Sequence, residues 1–244
     1  MQLSESTWPA VADLETDLAV IPVGSTEQHG PHAPLGTDAL TAEAVAKAGV
    51  EVYTEETGVD VPIAPVIPVG VAEEHRAFDG TLWVSPDTFR AYVRETAESL
   101  ADHGFDRIVF VNGHGGNVDA LGEVAGDISR HSDAYAVAFT WFDSVDSEHP
   151  MGHGGPRETA VLRHLHPNLV DEAEAETATE NGSDHWGEWV SGVNLAHDSA
   201  EFSENGVVGD PSTGSAQDGE KLVAAAADAL ASLLAAVDAR NCSE

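Results

Sequence analysis

Residues 18–46, LAVIPVGSTEQHGPHAPLGTDALTAEAVA, carry the pattern that decides the fold. The first six are an unbroken apolar run of strand length, as expected for a strand buried on both faces. Gly24 ends the run and opens a Gly- and Pro-rich loop. From Asp38 onward, Ala39, Leu40, Ala42, Val45 and Ala46 recur at helical spacing. Strand, loop and helix repeat downstream: residues 107–111 (RIVFV) and 134–139 predict further strands, and 118–131, 156–166 and 216–239 predict helices. Ser85, Pro86 and Asp87 have the chemistry of a helix start, with the helix running to about His103 and Gly104 just beyond it. Residues 59–69, VDVPIAPVIPV, are β-rich but broken by three prolines, which predicts short strand pieces at a sheet margin. Such alternation predicts an α/β fold with a mainly parallel sheet and helices on both faces. No repeat or linker divides the chain, so one domain over 1–244 is expected, with the acidic, Ala/Thr-rich residues 171–184 as an excursion.

Working outward, 43 acidic residues stand against 10 Lys plus Arg among 244, a formal charge of −33. That surface repels phosphate backbones and anionic lipid, which argues against nucleic-acid and membrane partners. Disorder is disfavoured by a hydrophobic content of 42%. Only Lys47 and Lys221 are lysines, and the acids are spread along the chain, a pattern suited to concentrated salt. Cys242 is the single cysteine, so no internal disulfide framework is possible. Residues 1–17 lack the basic and apolar regions of a signal peptide. The most apolar stretch, 223–237, contains Asp228 and is too short to span a bilayer. A soluble, cytoplasmic, salt-adapted protein is the expectation.

The chemistry gathers in loops that follow strands, where open α/β sheets form their ligand crevice. GSTEQHGPHAPLGTD (24–38) holds Glu27, His29, His32 and Asp38. Glu27 and His29 are two apart and point the same way in an extended loop, while Asp38 begins the next helix. Carboxylate plus imidazole suits Zn, Mn or Fe. Asp38 alone would read as an N-cap, but four candidate ligands in fifteen residues favour a metal site. After the second strand, Asn112-Gly113-His114-Gly115-Gly116-Asn117 sets a histidine among glycines without the spacing or lysine of a phosphate loop. MGHGGPRET (151–159) adds His153 in a Gly-rich turn and Glu158 in the first turn of a helix. Glu158 reads equally as a shell carboxylate, a proton carrier or a helix-dipole residue.

These motifs, with EEHRAFDGT at 73–81 and a weaker echo at Val208-Gly209-Asp210-Pro211, together resemble the creatininase (creatinine amidohydrolase) family. The resemblance implies a three-layer α/β/α sandwich, often hexameric, with two divalent metal ions hydrolysing a non-peptide C–N bond. By motif position, Glu27, Asp38 and His114 would hold one metal, and His29 with a bridging Asp38 the other. Creatinine hydrolases carry a second-metal glutamate two residues after the motif histidine; here that position is Gly116, and Glu158 is the candidate replacement. HGGPRET departs from the family's HAGEWET, placing Arg157 where it would suit an anionic substrate. Asp79 stands where the family has proline, while His75, Gly80 and Asn112 remain candidate pocket residues, and Glu158 and His153 candidate proton donors.

The resemblance extends to archaeal enzymes that deformylate 2-amino-5-formylamino-6-ribosylaminopyrimidin-4(3H)-one 5'-monophosphate on the route to riboflavin and coenzyme F420. That reaction is the expected one, with creatinine or another cyclic amide as the alternative. A non-catalytic metal-binding or assembly protein is the more distant reading. A small-molecule amide substrate and a homo-oligomer, as large as a hexamer, are expected partners.

Overall fold

The first strand, β1 (Leu18–Val23), is completely buried along its length, as an apolar run without alternation requires. It pairs in parallel with β2 (Arg107–Asn112), which pairs in parallel with β3 (Tyr135–Thr140), in the order β1-β2-β3. Val23 is level with Asn112 and Asn112 with Thr140, so the three strands end at one edge of the sheet. This computed structural model describes residues 1–240; Cys242 lies outside the described residues.

The pleat sorts the apolar residues onto two faces. Leu18 and Val20 of β1 and Val109 and Val111 of β2 join one core, under α2 (Thr37–Thr57), α5 (Pro156–Leu165) and α7 (Ala216–Asp238). Ala19, Ile21, Val23, Ile108 and Phe110 join the other, under α3 (Pro86–Ala101) and α4 (Val118–His131). The result is the expected α/β/α sandwich. Short α1 (Trp8–Ala12) precedes β1, and α6 (Glu172–Thr177) lies between α5 and α7.

The proline-broken segment lies where the sequence reading put it. Ile63 bridges Val20, and Ile67 bridges Val23, both in parallel, with Ala64 N–H and Ile67 N–H donating to β1 carbonyls. Prolines 62, 65 and 68 cannot donate, so the pairing stays a row of single bridges. Helix ends differ by one or two residues: α3 stops at Ala101 rather than His103, with Gly104 at φ 93° making the turn. Ser85 Oγ accepts from Thr88 N–H at its start, as the Ser-Pro-Asp signal requires.

Residues beyond α6 contain one hairpin the sequence reading lacked. In it, β4 (Trp189–Val190) pairs antiparallel with β5 (Val193–Asn194). Ser191 (φ 51°) and Gly192 (φ 82°) turn it, both left-handed, as a two-residue hairpin demands. Among the described residues no helix is long and apolar enough to cross a membrane.

Candidate active site

The loops leaving β1 and β2 at the common edge meet the 151–155 turn and the 70–82 segment. They bring Glu27, His29, Asp38, His75, His114, His153 and Glu158 together, all buried. Asp38 sits in the first turn of α2 and faces two imidazoles. Its Oδ1 is 3.1 Å from His29 Nε2, and its Oδ2 is 3.3 Å from His114 Nδ1. Glu27 Oε1 is 3.0 Å from His114 Nδ1, 3.5 Å from His75 Nε2 and 3.7 Å from His153 Nδ1. Glu158 Oε1 lies 3.7 Å from His29 Nε2, while its Oε2 accepts the Gly154 N–H at 2.6 Å.

Hydrogen bonds on the outer side of each ring assign the tautomers. His114 Nε2–H donates to the Val71 carbonyl at 2.7 Å, leaving its Nδ1 lone pair toward Glu27 and Asp38. His29 Nδ1–H donates to the Glu27 carbonyl at 3.1 Å, leaving Nε2 toward Asp38 and Glu158. His153 Nε2–H donates to the Gln28 carbonyl, leaving Nδ1 inward. Backbone carbonyls that fix the outer N–H are the usual second layer of a metal-ligating histidine.

His75 is different, because Gln28 decides its proton. The Gln28 amide is oriented by Gly30 N–H donating to Oε1 (2.9 Å) and by Nε2 donating to the Gly206 carbonyl (3.0 Å). Its Nε2 therefore also donates to His75 Nδ1 at 2.8 Å, and the His75 proton sits on Nε2, aimed at Glu27. A ring in this tautomer donates to a carboxylate and offers no lone pair to a cation.

The cluster fits divalent metal on its own evidence. Glu27 Oε1 and Oε2, Asp38 Oδ2 and His29 Nε2 are buried without an aligned hydrogen-bond partner. Buried carboxylates are costly unless paired or coordinated to metal. Ligand atoms of Glu27, His29 and Asp38 lie within 4.8 Å of one another, as do those of His29, His153 and Glu158. Without metal, two of the imidazoles beside the carboxylates are favoured in their protonated form instead. Burial disfavours charged His29, but Asp38 and Glu158 outweigh it and raise its pKa well above the ordinary value. Glu27 and Asp38 do the same for His114 against its burial. Burial resists ionisation of Asp38, yet His29 and His114 overcome it and hold its carboxyl below the usual range. His75 and His153 are pushed down, first by burial and then by neighbouring imidazoles.

Gly116, where a creatinine hydrolase has glutamate, has no room for a side chain. A Cβ there would lie 2.2 Å from the Val71 carbonyl oxygen, the acceptor that orients His114, and 2.9 Å from Glu74 Oε1. Glu158 Oε1 faces His29 instead. Close backbone approach also explains HGGP: a Cβ on Gly155 would lie 2.7 Å from Val208 O, and one on Gly154, at φ 55°, 2.6 Å from His29 O. Val208 pairs with His153 through both backbone hydrogen bonds, so the weak 208–211 echo begins at an isolated bridge that holds the histidine turn.

Three sequence candidates point elsewhere. Arg157 donates to the His149 and Phe142 carbonyls at 2.7 and 3.3 Å, bracing the loop before α5. Asn112 is wholly buried beneath the β2 loop, its Oδ1 accepting from His114 N–H and its Nδ2 donating to His114 O. Both residues shape loops from behind the cluster. His32 Nε2 is 2.9 Å from Thr159 Oγ1 and ties the first loop to α5. The sequence reading passed over Gln28 and Glu74. Gln28 stood between two candidate ligands, and Glu74 beside His75, but only tertiary contacts give either a role. Glu74 Oε1 is 3.7 Å from His114 Nε2, and burial raises its pKa.

A model of the creatininase family, described as creatinine amidohydrolase, matches residues 4–234. The chain belongs to the creatininase family. Its members are metal-dependent amidohydrolases that act on amide C–N bonds, and this chain is such a hydrolase. A mycofactocin precursor peptide peptidase of Mycobacterium ulcerans is 36% identical over 236 residues, covering 94% of this chain and 86% of the relative. A crystal structure from Bacteroides fragilis superposes with a TM-score of 0.85 at 26% identity, over 100% of this chain and 98% of that one. A manganese creatininase shares the fold, with a TM-score of 0.79 at 24% identity over 98% and 99% of the two chains. Creatininase is also described in a zinc form.

Proposed function

We propose that this amidohydrolase cleaves an amide bond of a peptide. The observation that carries this reading is a metal-type centre made only of carboxylates and imidazoles, with no Lys or Arg among its residues. Its relatives named as precursor peptide peptidases, 36% identical or slightly more, support the same substrate class. A phosphorylated formamidopyrimidine has less support, since Arg157 is engaged with backbone carbonyls and Arg76 pairs with Asp198 at 2.7 Å. Creatinine is neutral and remains the second reading, from the family description.

Glu27, His114 and Asp38 would hold one ion, and His29, Asp38 and Glu158 the other, with Asp38 shared. Bound divalent ions supply Lewis-acid polarisation of the amide carbonyl and lower the pKa of water toward neutrality. His153 presents its Nδ1 lone pair to the centre and takes the proton of the attacking water. It returns that proton to the departing nitrogen as the C–O bond forms and the C–N bond breaks. Nε2–H of His75 steadies the Glu27 carboxylate.

The test is parallel turnover of short peptides, the formamidopyrimidine nucleotide and creatinine by Mn- or Zn-loaded protein. Peptide cleavage is expected to exceed the other two by at least about a hundredfold, a gap of ~2.7 kcal/mol in barrier. Fastest formate release would restore the deformylase reading. Asp38→Ala should leave little bound metal by elemental analysis and lower activity by about a thousandfold or more. Retained metal and turnover in that variant would contradict the shared-ligand assignment.

A further inference from the structure

Between residues 185–189 and 195–202 lies a cavity of about 620 Å³, walled by Gly187, Trp189, Leu195, Ala196 and Phe202. That volume falls in the range of small-ligand sites. Trp186, Trp189, Val190, Val193 and Leu195 remain 39–60% exposed around it, a concentration of apolar surface that a water-facing loop would not need.

One ring, Trp186, links the centre to the cavity wall. The Trp186 ring stands 6.3 Å from the His153 ring and 6.5 Å from Phe202, edge to face with the first. Each step matches about two residues of extended peptide. A second tie runs through Asp198, which caps the turn at Ser199–Glu201 and pairs with Arg76, the neighbour of His75.

Its walls are built, not collapsed. Trp189 Nε1–H and Asn194 Nδ2 both donate to the Trp186 carbonyl, and Leu195 N–H donates to Glu188 O. Gly187, at φ 65°, lets Asn194 come close: a Cβ there would lie 2.4 Å from Asn194 Oδ1. Charge at the rim is negative. Glu188 lines the cavity, Glu201 Oε1 accepts from His197 and Asp198 N–H, and the one imidazole, His185, faces Asp184.

We infer that this cavity is a side-chain subsite that takes a large apolar or aromatic residue of the peptide, within about four residues of the scissile bond. The inference rests on the peptide reading of the centre. An acidic side chain is excluded by the rim, and a small one leaves the apolar walls wet.

The experiment uses metal-loaded protein and peptides differing at one position, carrying Phe, Leu, Ala or Asp there. At one position, kcat/KM for Phe or Leu is expected to exceed Ala and Asp at least tenfold. Trp189→Ala and Leu195→Asn should erase the preference and leave cleavage of the Ala peptide unchanged. A preference that survives both variants, or no preference at any position, overturns the subsite. A sedimentation coefficient that falls in the variants while preference stays intact assigns the hairpin to contacts between copies, and also overturns it. If no peptide is cleaved at all, the peptide reading fails. Quenching of tryptophan fluorescence by N-acetyl-phenylalaninamide, present in the native protein and lost in Trp189→Ala, then reads the cavity separately; equal quenching in both overturns it.

Discussion

Gln28 shows how much of this centre rests on a side chain that touches no reacting group. Its side-chain amide fixes the His75 tautomer, while the backbone carbonyl of the same residue fixes that of His153. Gln28→Glu replaces the donor with an acceptor, moves the His75 proton to Nδ1 and turns a lone pair toward Glu27. Activity or metal affinity should fall about 10–100-fold, as for other outer-layer partners of metal ligands. Nitrogen-15 shifts of the His75 ring would report the exchange of tautomer; an unchanged tautomer would contradict the mechanism. His32 gives the pH prediction. Burial, then His29, lowers its pKa from 6.5 to about 4. Between those values the unfolded chain binds the extra proton, so the stability held by neutral His32 is present above pH 6.5 and lost on descent to pH 4. The full amount is roughly 3 kcal/mol. Chemical denaturation at pH 7 and 4.5 should show a smaller acid loss in His32→Gln than in the native chain.

At the scale of elements, α5 and α7 approach so closely that only glycine fits at 219. A Cβ there would lie 1.9 Å from the Ala160 carbonyl oxygen, one half-turn beyond Glu158. Gly219→Ala must push α5 off α7, at a cost of about 1–3 kcal/mol in thermal or chemical unfolding. The same displacement moves Glu158 against His29, so kcat should fall together with stability. Full activity at reduced stability would detach Glu158 from the proposed metal shell. Strands were legible because β1 and β2 are apolar at nearly every residue, which only burial on both faces explains. The β4–β5 hairpin was not, since two-residue strands with half-exposed side chains leave no periodicity to read.

For the whole molecule, −33 of formal charge is carried by a thin shell of surface carboxylates, while Glu27, Asp38 and Glu158 turn inward. Mutual repulsion in that shell is screened as the Debye length shrinks from ~10 Å at 0.1 M salt to ~3 Å at 1 M. Melting temperature should therefore rise from 0.1 to 2 M KCl. A flat profile would remove the argument for salt adaptation.

The sequence by itself determined the sandwich and the loops that carry chemistry, because apolar runs dictate burial and the strand ends dictate where polar loops emerge. It also marked Glu27, His29, Asp38, His114, His153 and Glu158, which converge in the folded chain. Only the tertiary structure decided the direction of each side chain. Arg157 and Asn112 carry suitable chemistry but face backbone carbonyls and amides, and Gly116 is empty because the Val71 carbonyl occupies its space. The tautomers of His75, His114 and His153, the close backbone approaches and the aromatic wall beside His153 arise from segments far apart in the chain. No local spacing encodes them.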